Sequence, residues 1–230
     1  FIIPVSRLIS WAWISRNSAS NLADVELILN SLGLATISSL IIVVIAIFLV
    51  FSARYYKSTL TAFSNRFAIV GYSIPGAVIA IGILLIAGHI NNLTNYVLTG
   101  SLYLLIFAYI VRYLAVAWQP INAGIESNCD SLNHASKSLG ASAFTSLTRV
   151  NLPLIKDTIL TAGLLVFIDT IKELPLTLIL RPFNFETLAT ATFDLSSQAQ
   201  IVESSVPALC MIVIVLAPLI FLNYRLENTK

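Results

Sequence analysis

Long apolar runs alternate with short polar stretches along the whole chain. Runs near Leu27 to Phe51, Phe67 to Ala87, Asn95 to Trp118, Thr158 to Leu180 and Ser205 to Tyr224 carry few charges. Each reaches roughly 20 residues, the length at which a helix rising about 1.5 Å per residue crosses about 30 Å of hydrocarbon. A further run, Phe1 to Ile14, is too short to span alone. The chain opens on Phe, and the charged start and small-residue cleavage site of a signal peptide are missing, so this run reads as the cut end of a segment lacking upstream residues. The pattern predicts an all-α, polytopic transmembrane helical bundle of about six membrane helices. It is treated as one transmembrane domain over residues 1–230, with a polar loop over 121–157.

Two stretches interrupt the regularity. Within the second run, Ile74-Pro75-Gly76 lies among Gly71, Ala77, Ala80 and Gly82. Proline removes a backbone donor and the small residues admit a close neighbour, so this span is expected to be kinked and tightly packed. It is either a pore-lining helix that bends between states or an ordinary packing element. In the polar loop, Leu132, Ala135, Leu139, Ala143, Phe144, Leu147 and Val150 recur at close to a helical period, while Asn133, Lys137, Ser142, Ser146 and Arg149 take other faces. That spacing predicts a short amphipathic helix at the membrane surface, whose generic form lies on lipid.

Composition supports the bilayer reading: 57% of residues are hydrophobic, 10% are charged and the mean hydropathy is +0.89, outside the range of soluble globular domains. Charge sets the orientation, because Lys and Arg in short loops collect on the cytoplasmic side. Arg54, Lys57 and Arg66, then Lys137, Arg149 and Lys156, then Arg225 and Lys230 mark the inside. Arg16 with Asp24 and Glu26, the stretch from His89 to Asn95, and Arg181 with Glu186, Asp194 and Glu203 mark the outside. The net charge of +2 follows from this bias and does not point to nucleic acid. Cys129 and Cys210, one in a loop and one in a span, do not read as a disulfide or metal pair.

Ionisable groups inside the runs are the candidate chemistry. Asp169, Lys172 and Glu173 fall at i, i+3 and i+4 and share one helical face. Asp169 lies roughly 16 Å in from Thr158, near mid-bilayer. Pro175 should weaken the helix just beyond. Two readings stand: an Asp169 to Lys172 pair with Glu173 paired to another helix or subunit, or a cluster lining a translocation path. Arg112, about two turns from the cytoplasmic end of its run, either snorkels to the interface or joins Tyr109 and Tyr113 at a pore. His89 reads as a solvated loop residue.

A resemblance gives the polar loop a role. His134-Ala135-Ser136, three residues, Gly140, nine residues, Val150, one residue and Leu152-Pro153 is similar to the cytoplasmic loop of permease subunits of binding-protein-dependent ABC importers. Their pattern is Glu-Ala-Ala, Gly, Ile and Leu-Pro at the same spacing. His134 replaces the Glu, Ser136 the second Ala and Val150 the Ile. The resemblance implies a type I ABC importer permease fold and an ATPase-coupling loop of His134, Ala135, Ser136, Leu139, Gly140, Val150, Leu152 and Pro153. Ala135 and Ser136 would seat the helix in a cleft of a nucleotide-binding subunit, Gly140 would permit close approach or a bend, and Pro153 would suit the first turn of the next membrane helix.

Lys172-Glu173-Leu174-Pro175 and the residues on to Ala189 resemble the segment that follows this loop in ferric-iron importer permeases, which are typically duplicated in one polypeptide. The likeness runs from about Ser131 to Tyr224 and is to the C-terminal half. It implies an inner-membrane permease working with the other permease half, a periplasmic binding protein and a cytoplasmic ATPase dimer. The chain has no phosphate-cradling Gly-x-x-x-x-Gly-Lys loop and no nucleophile–base arrangement. It is therefore not read as an enzyme, and ATP is the partner's cofactor. Asp169, Lys172, Glu173 and Pro175 remain the candidates for a translocation path. A permease for thiamine, a phosphonate, a polyamine or sulfate shares the loop, and a secondary transporter using Asp169 and Glu173 as an ion relay is the alternative from another class.

Overall fold

The computed structural model describes residues 2–15, 25–55, 70–94, 96–128, 136, 138 and 140–228. The elements within them are helical. In order they are α1 (Ile2–Ser15), α2 (Val25–Tyr55), α3 (Gly76–Thr94), α4 (Leu102–Asn128), α5 (Ala143–Ser146), a π-helical turn (Leu147–Asn151), α6 (Leu152–Leu154), α7 (Lys156–Ile171), α8 (Pro175–Leu180), α9 (Leu188–Ser197) and α10 (Ile201–Asn228).

Four of these, over Val25–Ala53, Gly76–Thr94, Leu102–Ser127 and Ile201–Tyr224, are long and apolar enough to cross a membrane. The runs expected over Phe67 to Ala87 and Asn95 to Trp118 are displaced toward the C-terminus. Residues 70–73 are helical, but Pro75 ends that turn and α3 restarts at Gly76, since proline cannot continue the donor ladder. The single span expected over Thr158 to Leu180 is two helices, α7 and α8, separated by Lys172–Leu174.

The long helices bury a stripe and leave the rest to lipid. On α2, Ser31, Leu34, Ala35, Ser38, Ser39, Ile42, Val43, Ala46 and Val50 are buried while Ile37, Leu40, Val44 and Phe48 are exposed. This is helical spacing with small residues on the buried side, which lets backbones approach where no hydrophobic difference drives association. On α3 the buried stripe is Gly76, Ile79, Ala80, Ile83 and Ala87.

The chain forms two compact units. One comprises Phe1–Ile37, Gly76–Ala108 and Ile168–Lys230. Within it α1 and α9 pack on α10, and α3 packs on α8. The other comprises Ser38–Pro75 and Tyr109–Phe167. There, a Cβ added at Gly71 would run into the Val111 carbonyl, and one at Gly124 would meet the Thr158 side chain at 3.0 Å. Gly71 marks a backbone-to-backbone contact that no larger residue would fit, and Gly124 a tight helix contact that a larger residue would crowd.

Candidate functional site

The polar connector between α4 and α7 is built around Gly140. His134, Ala135 and Leu139 lie outside the described residues. Gly140 has φ +77, a left-handed conformation that a side chain makes unfavourable. Nothing lies within 4 Å of where its Cβ would be. Of the two roles foreseen for it, the bend is therefore the one seen within this chain. The bend also splits the amphipathic helix expected across Leu132 to Val150. Beyond it, Ser142 caps α5: its hydroxyl accepts the Thr145 N–H at 3.2 Å.

Ser136, four residues before Gly140, packs inward. Ser136 is buried, its hydroxyl lies 3.1 Å from that of Ser146, and its carbonyl accepts the Ala141 N–H at 3.0 Å. The large apolar side chains turned outward are Phe144, 70% exposed, and Leu154, with Ser142, Arg149 and Pro153 exposed beside them. Leu147, on the expected apolar face, is buried in the chain itself.

Pro153 explains the π-helical turn before it. In a regular helix its ring would clash with the Arg149 carbonyl and offer it no donor. The wider turn over Leu147–Asn151, in which the Leu152 N–H reaches the Leu147 carbonyl, relieves the conflict. Pro153 lies in the first turn of the three-residue α6, and the long helix beyond begins at Lys156, two residues before the expected start at Thr158. Val150 and Leu152 flank Asn151, whose side chain is 0% exposed and whose two amide atoms have no hydrogen-bond partner among the described residues. Sequence reasoning passed over Asn151, the position the loop pattern leaves free. A buried polar residue beside a proline was the available clue.

The charged cluster does not stay on one face. Helix α7 ends at Ile171, and Pro175 occupies the first turn of α8. Glu173 is buried: its carboxylate accepts the Leu176 N–H at 3.2 Å, and its carbonyl accepts the Thr177 hydroxyl at 2.7 Å. Its carboxylate thus serves an α8 backbone N–H, and the foreseen shared face is lost because the helix breaks before Glu173. Lys172 and Asp169 form an ion pair at 2.8 Å, with side-chain exposures of 59% and 17%.

Arg112 ties two helical segments together. Its Nη1 donates to the Ile74 carbonyl at 2.8 Å, and the guanidinium lies 5.7 Å from the Tyr113 ring centre. Pro75 disrupts the helix at this carbonyl, and an apolar medium offers it no other donor. Tyr109 and Tyr113 are buried, with ring centres 6.1 Å apart.

On the other side of the sequence-derived topology, the connector from Arg181 to Gln200 is held at many points. Arg181 Nη2 pairs with Asp194 at 2.9 Å, and Nη1 lies 3.7 Å from Glu186. Thr187 and Thr190 form a reciprocal capping box at the start of α9. From α2, Asn30 donates to the Glu186 carbonyl at 3.2 Å, and the Ser31 hydroxyl accepts the Leu188 N–H at 2.8 Å. Among the described residues, no three His, Cys, Asp or Glu side chains gather into a metal-binding group.

Comparison with known proteins places this architecture. The family model described as "Binding-protein-dependent transport system inner membrane component" matches residues 42–228. The chain is 30% identical over 213 residues to an Fe(3+)-transport system permease protein of Haemophilus influenzae, covering 91% of this chain and 41% of that relative's length. It is 22% identical over 191 residues to a putative 2-aminoethylphosphonate transport system permease protein of Salmonella typhimurium, covering 83% and 71%. A solved bacterial ABC transporter involved in the import of alginate matches with a TM-score of 0.75 at 14% identity, over 97% of this chain and 89% of that one. The same score and identity hold for an alginate transporter in complex with a pentasaccharide-bound periplasmic protein. At that identity the likeness establishes the fold.

Proposed function

The chain belongs to the binding-protein-dependent transport system inner membrane component family, a multi-pass inner-membrane permease of ABC importers, and from that membership we propose that it translocates ferric iron delivered by a periplasmic binding protein. The 30% identity to an iron-transport permease, which this chain spans over 41% of its length, supports the substrate. The other permease half and a cytoplasmic ATPase dimer complete the machine. ATP is bound and hydrolysed in that dimer, and this chain holds no cofactor.

The observation that carries the coupling role is the left-handed Gly140 with open space around it. It sets a bend at the position where the family loop carries its glycine. In the proposed mechanism, closure of the ATPase dimer moves the connector through its outward face, Phe144 and Leu154. Displacement then passes through Pro153 and the buried Ile155 into α7, changing access at the break where Asp169 and Lys172 lie. Glu173 holds the α8 end of that break, and Asp169 and Lys172 supply its polar lining.

The test is reconstitution with the ATPase and the binding protein in proteoliposomes. Gly140→Leu would strain a left-handed backbone by about 1–3 kcal/mol. It should leave the permease inserted but separate hydrolysis from radiolabelled iron uptake, or release the ATPase on copurification. His134→Glu, which restores the family pattern, should be tolerated. Wild-type hydrolysis and uptake in Gly140→Leu would remove the connector from the mechanism and reopen an ion-coupled transporter using Asp169. The phosphonate relative provides a second reading of the substrate; uptake of 2-aminoethylphosphonate without iron uptake would select it.

A further inference from the structure

We propose that Phe183 is an aromatic anchor on which the extracytoplasmic binding protein docks, through an apolar pocket rimmed by basic side chains. This rests on the importer reading above. Phe183 is 93% exposed, the most of any large hydrophobic residue described. An exposed apolar residue on a membrane helix faces lipid and requires no explanation. Phe183 instead lies in the polar stretch between α8 and α9, beside Asn184 and Glu186, which are themselves exposed. Sinking the ring into hydrocarbon would draw those polar neighbours with it, against their hydration.

The backbone that presents the ring is fixed on both sides. Arg181 is held by Asp194 and Glu186, the Phe185 N–H reaches the Pro182 carbonyl at 3.2 Å, and Asn30 fastens the Glu186 carbonyl. Asn184 takes φ 60, the left-handed turn conformation that asparagine adopts more readily than other non-glycine residues. An aromatic ring displayed on a fixed loop loses little conformational freedom on binding and buries about 150–250 Å². Those are properties of residues that dominate interface energies.

Charge indicates what surrounds the pocket on the partner. On the outer side given by the Lys and Arg distribution, the described ionisable residues include Glu26, Glu186, Asp194 and Glu203 against Arg181. Arg181 is already engaged by Asp194. Arg181, Asp194 and Glu186 cluster beside Phe183 with one net negative charge, and a complementary partner carries Lys or Arg at its rim.

The experiment uses the complete transporter in nanodiscs, with ATP hydrolysis followed against the concentration of the iron-loaded binding protein. Phe183→Ala should raise the half-maximal concentration by about 10-fold or more, leave basal hydrolysis unchanged and recover the wild-type maximum at saturation. Phe183→Trp should remain close to wild type. Phe107→Ala, which removes an exposed ring from within α4, should change nothing. An unaltered half-maximal concentration in Phe183→Ala would overturn the proposal. A bimane label at Phe183→Cys, with Cys129 and Cys210 replaced by Ser, separates the membrane from the protein partner. Quenching by brominated lipid would place the ring in the bilayer and overturn the proposal; shielding from aqueous quencher only when binding protein is added supports it. If wild-type transporter shows no binding-protein stimulation at all, the importer reading itself fails and the anchor falls with it. A right-shifted response in Phe183→Ala alone bears on the anchor.

Discussion

The connector from Gly140 to Ile155 and the connector from Arg181 to Gln200 both join membrane helices through short helical pieces, yet they differ in how far their buried polar groups are paired. In the second, Arg181 Nη2, the capping hydroxyls and the backbone at Glu186 and Leu188 have identified partners, some supplied by α2, and Arg181 Nη1 has only the looser ion pair to Glu186 at 3.7 Å. In the first, the helix is widened into a π turn and the Asn151 amide is fully buried with no partner among the described residues. Leaving such a group unpaired costs about 1–3 kcal/mol. A satisfied network favours one arrangement, whereas an unsatisfied one lowers the cost of leaving it. The difference suits the two proposed tasks, presenting a fixed surface to a docking protein and relaying movement from an ATPase.

The largest effect should come from breaking the well-satisfied side. Asp194→Ala leaves Arg181 with only the looser pair to Glu186 and should cost about 2 kcal/mol, less than a fully buried pair because both groups keep some solvent contact. The Arg181→Ala, Asp194→Ala double variant should recover part of that loss in thermal unfolding of the purified permease. Next in size, Asn151→Leu should stabilise the permease by about 1 kcal/mol, since an unpaired buried amide gives way to an apolar group of similar volume. Its ATP-driven uptake should fall. A loss of stability instead would mean that the amide is satisfied and that the two connectors do not differ in this way. The smallest effects concern the caps. Thr187→Ala, at the start of the ten-residue α9, should cost about 1 kcal/mol, and Ser142→Ala, on the four-residue α5, about 0.5 kcal/mol. Equal losses would show that the inner connector is held as firmly as the outer one.

Much of the architecture is legible locally. The apolar runs locate the long helices because lipid imposes length and composition on any span. Pro75 and Pro175 mark helix breaks because a missing N–H acts within one turn. Non-local partners were not legible. That Arg112 serves Ile74, or that Ser31 caps a backbone N–H at Leu188, 157 residues away, depends on which helices pack together. The left-handed torsion at Gly140 is likewise one the helical period cannot anticipate. Glu173 was counted with Asp169 and Lys172 on a continuous helix; once Pro175 interrupts that helix, its position along the chain no longer fixes its direction.

The bond between Arg112 and Ile74 joins residues 38 positions apart, and that separation has a consequence for how the protein is made. The ribosome delivers Pro75 and the carbonyl beside it well before it delivers Arg112. If residues 70–94 entered lipid alone, they would carry an acceptor without a donor, at a cost of several kcal/mol. Arg112, arriving alone in α4, would in turn bring an unpaired charge into the bilayer. Each segment is a poor candidate for solitary insertion and a better one in company. The cell's insertion machinery is therefore expected to release them as a pair, so that a contact which closes a broken helix in the finished permease also sets the order of its birth.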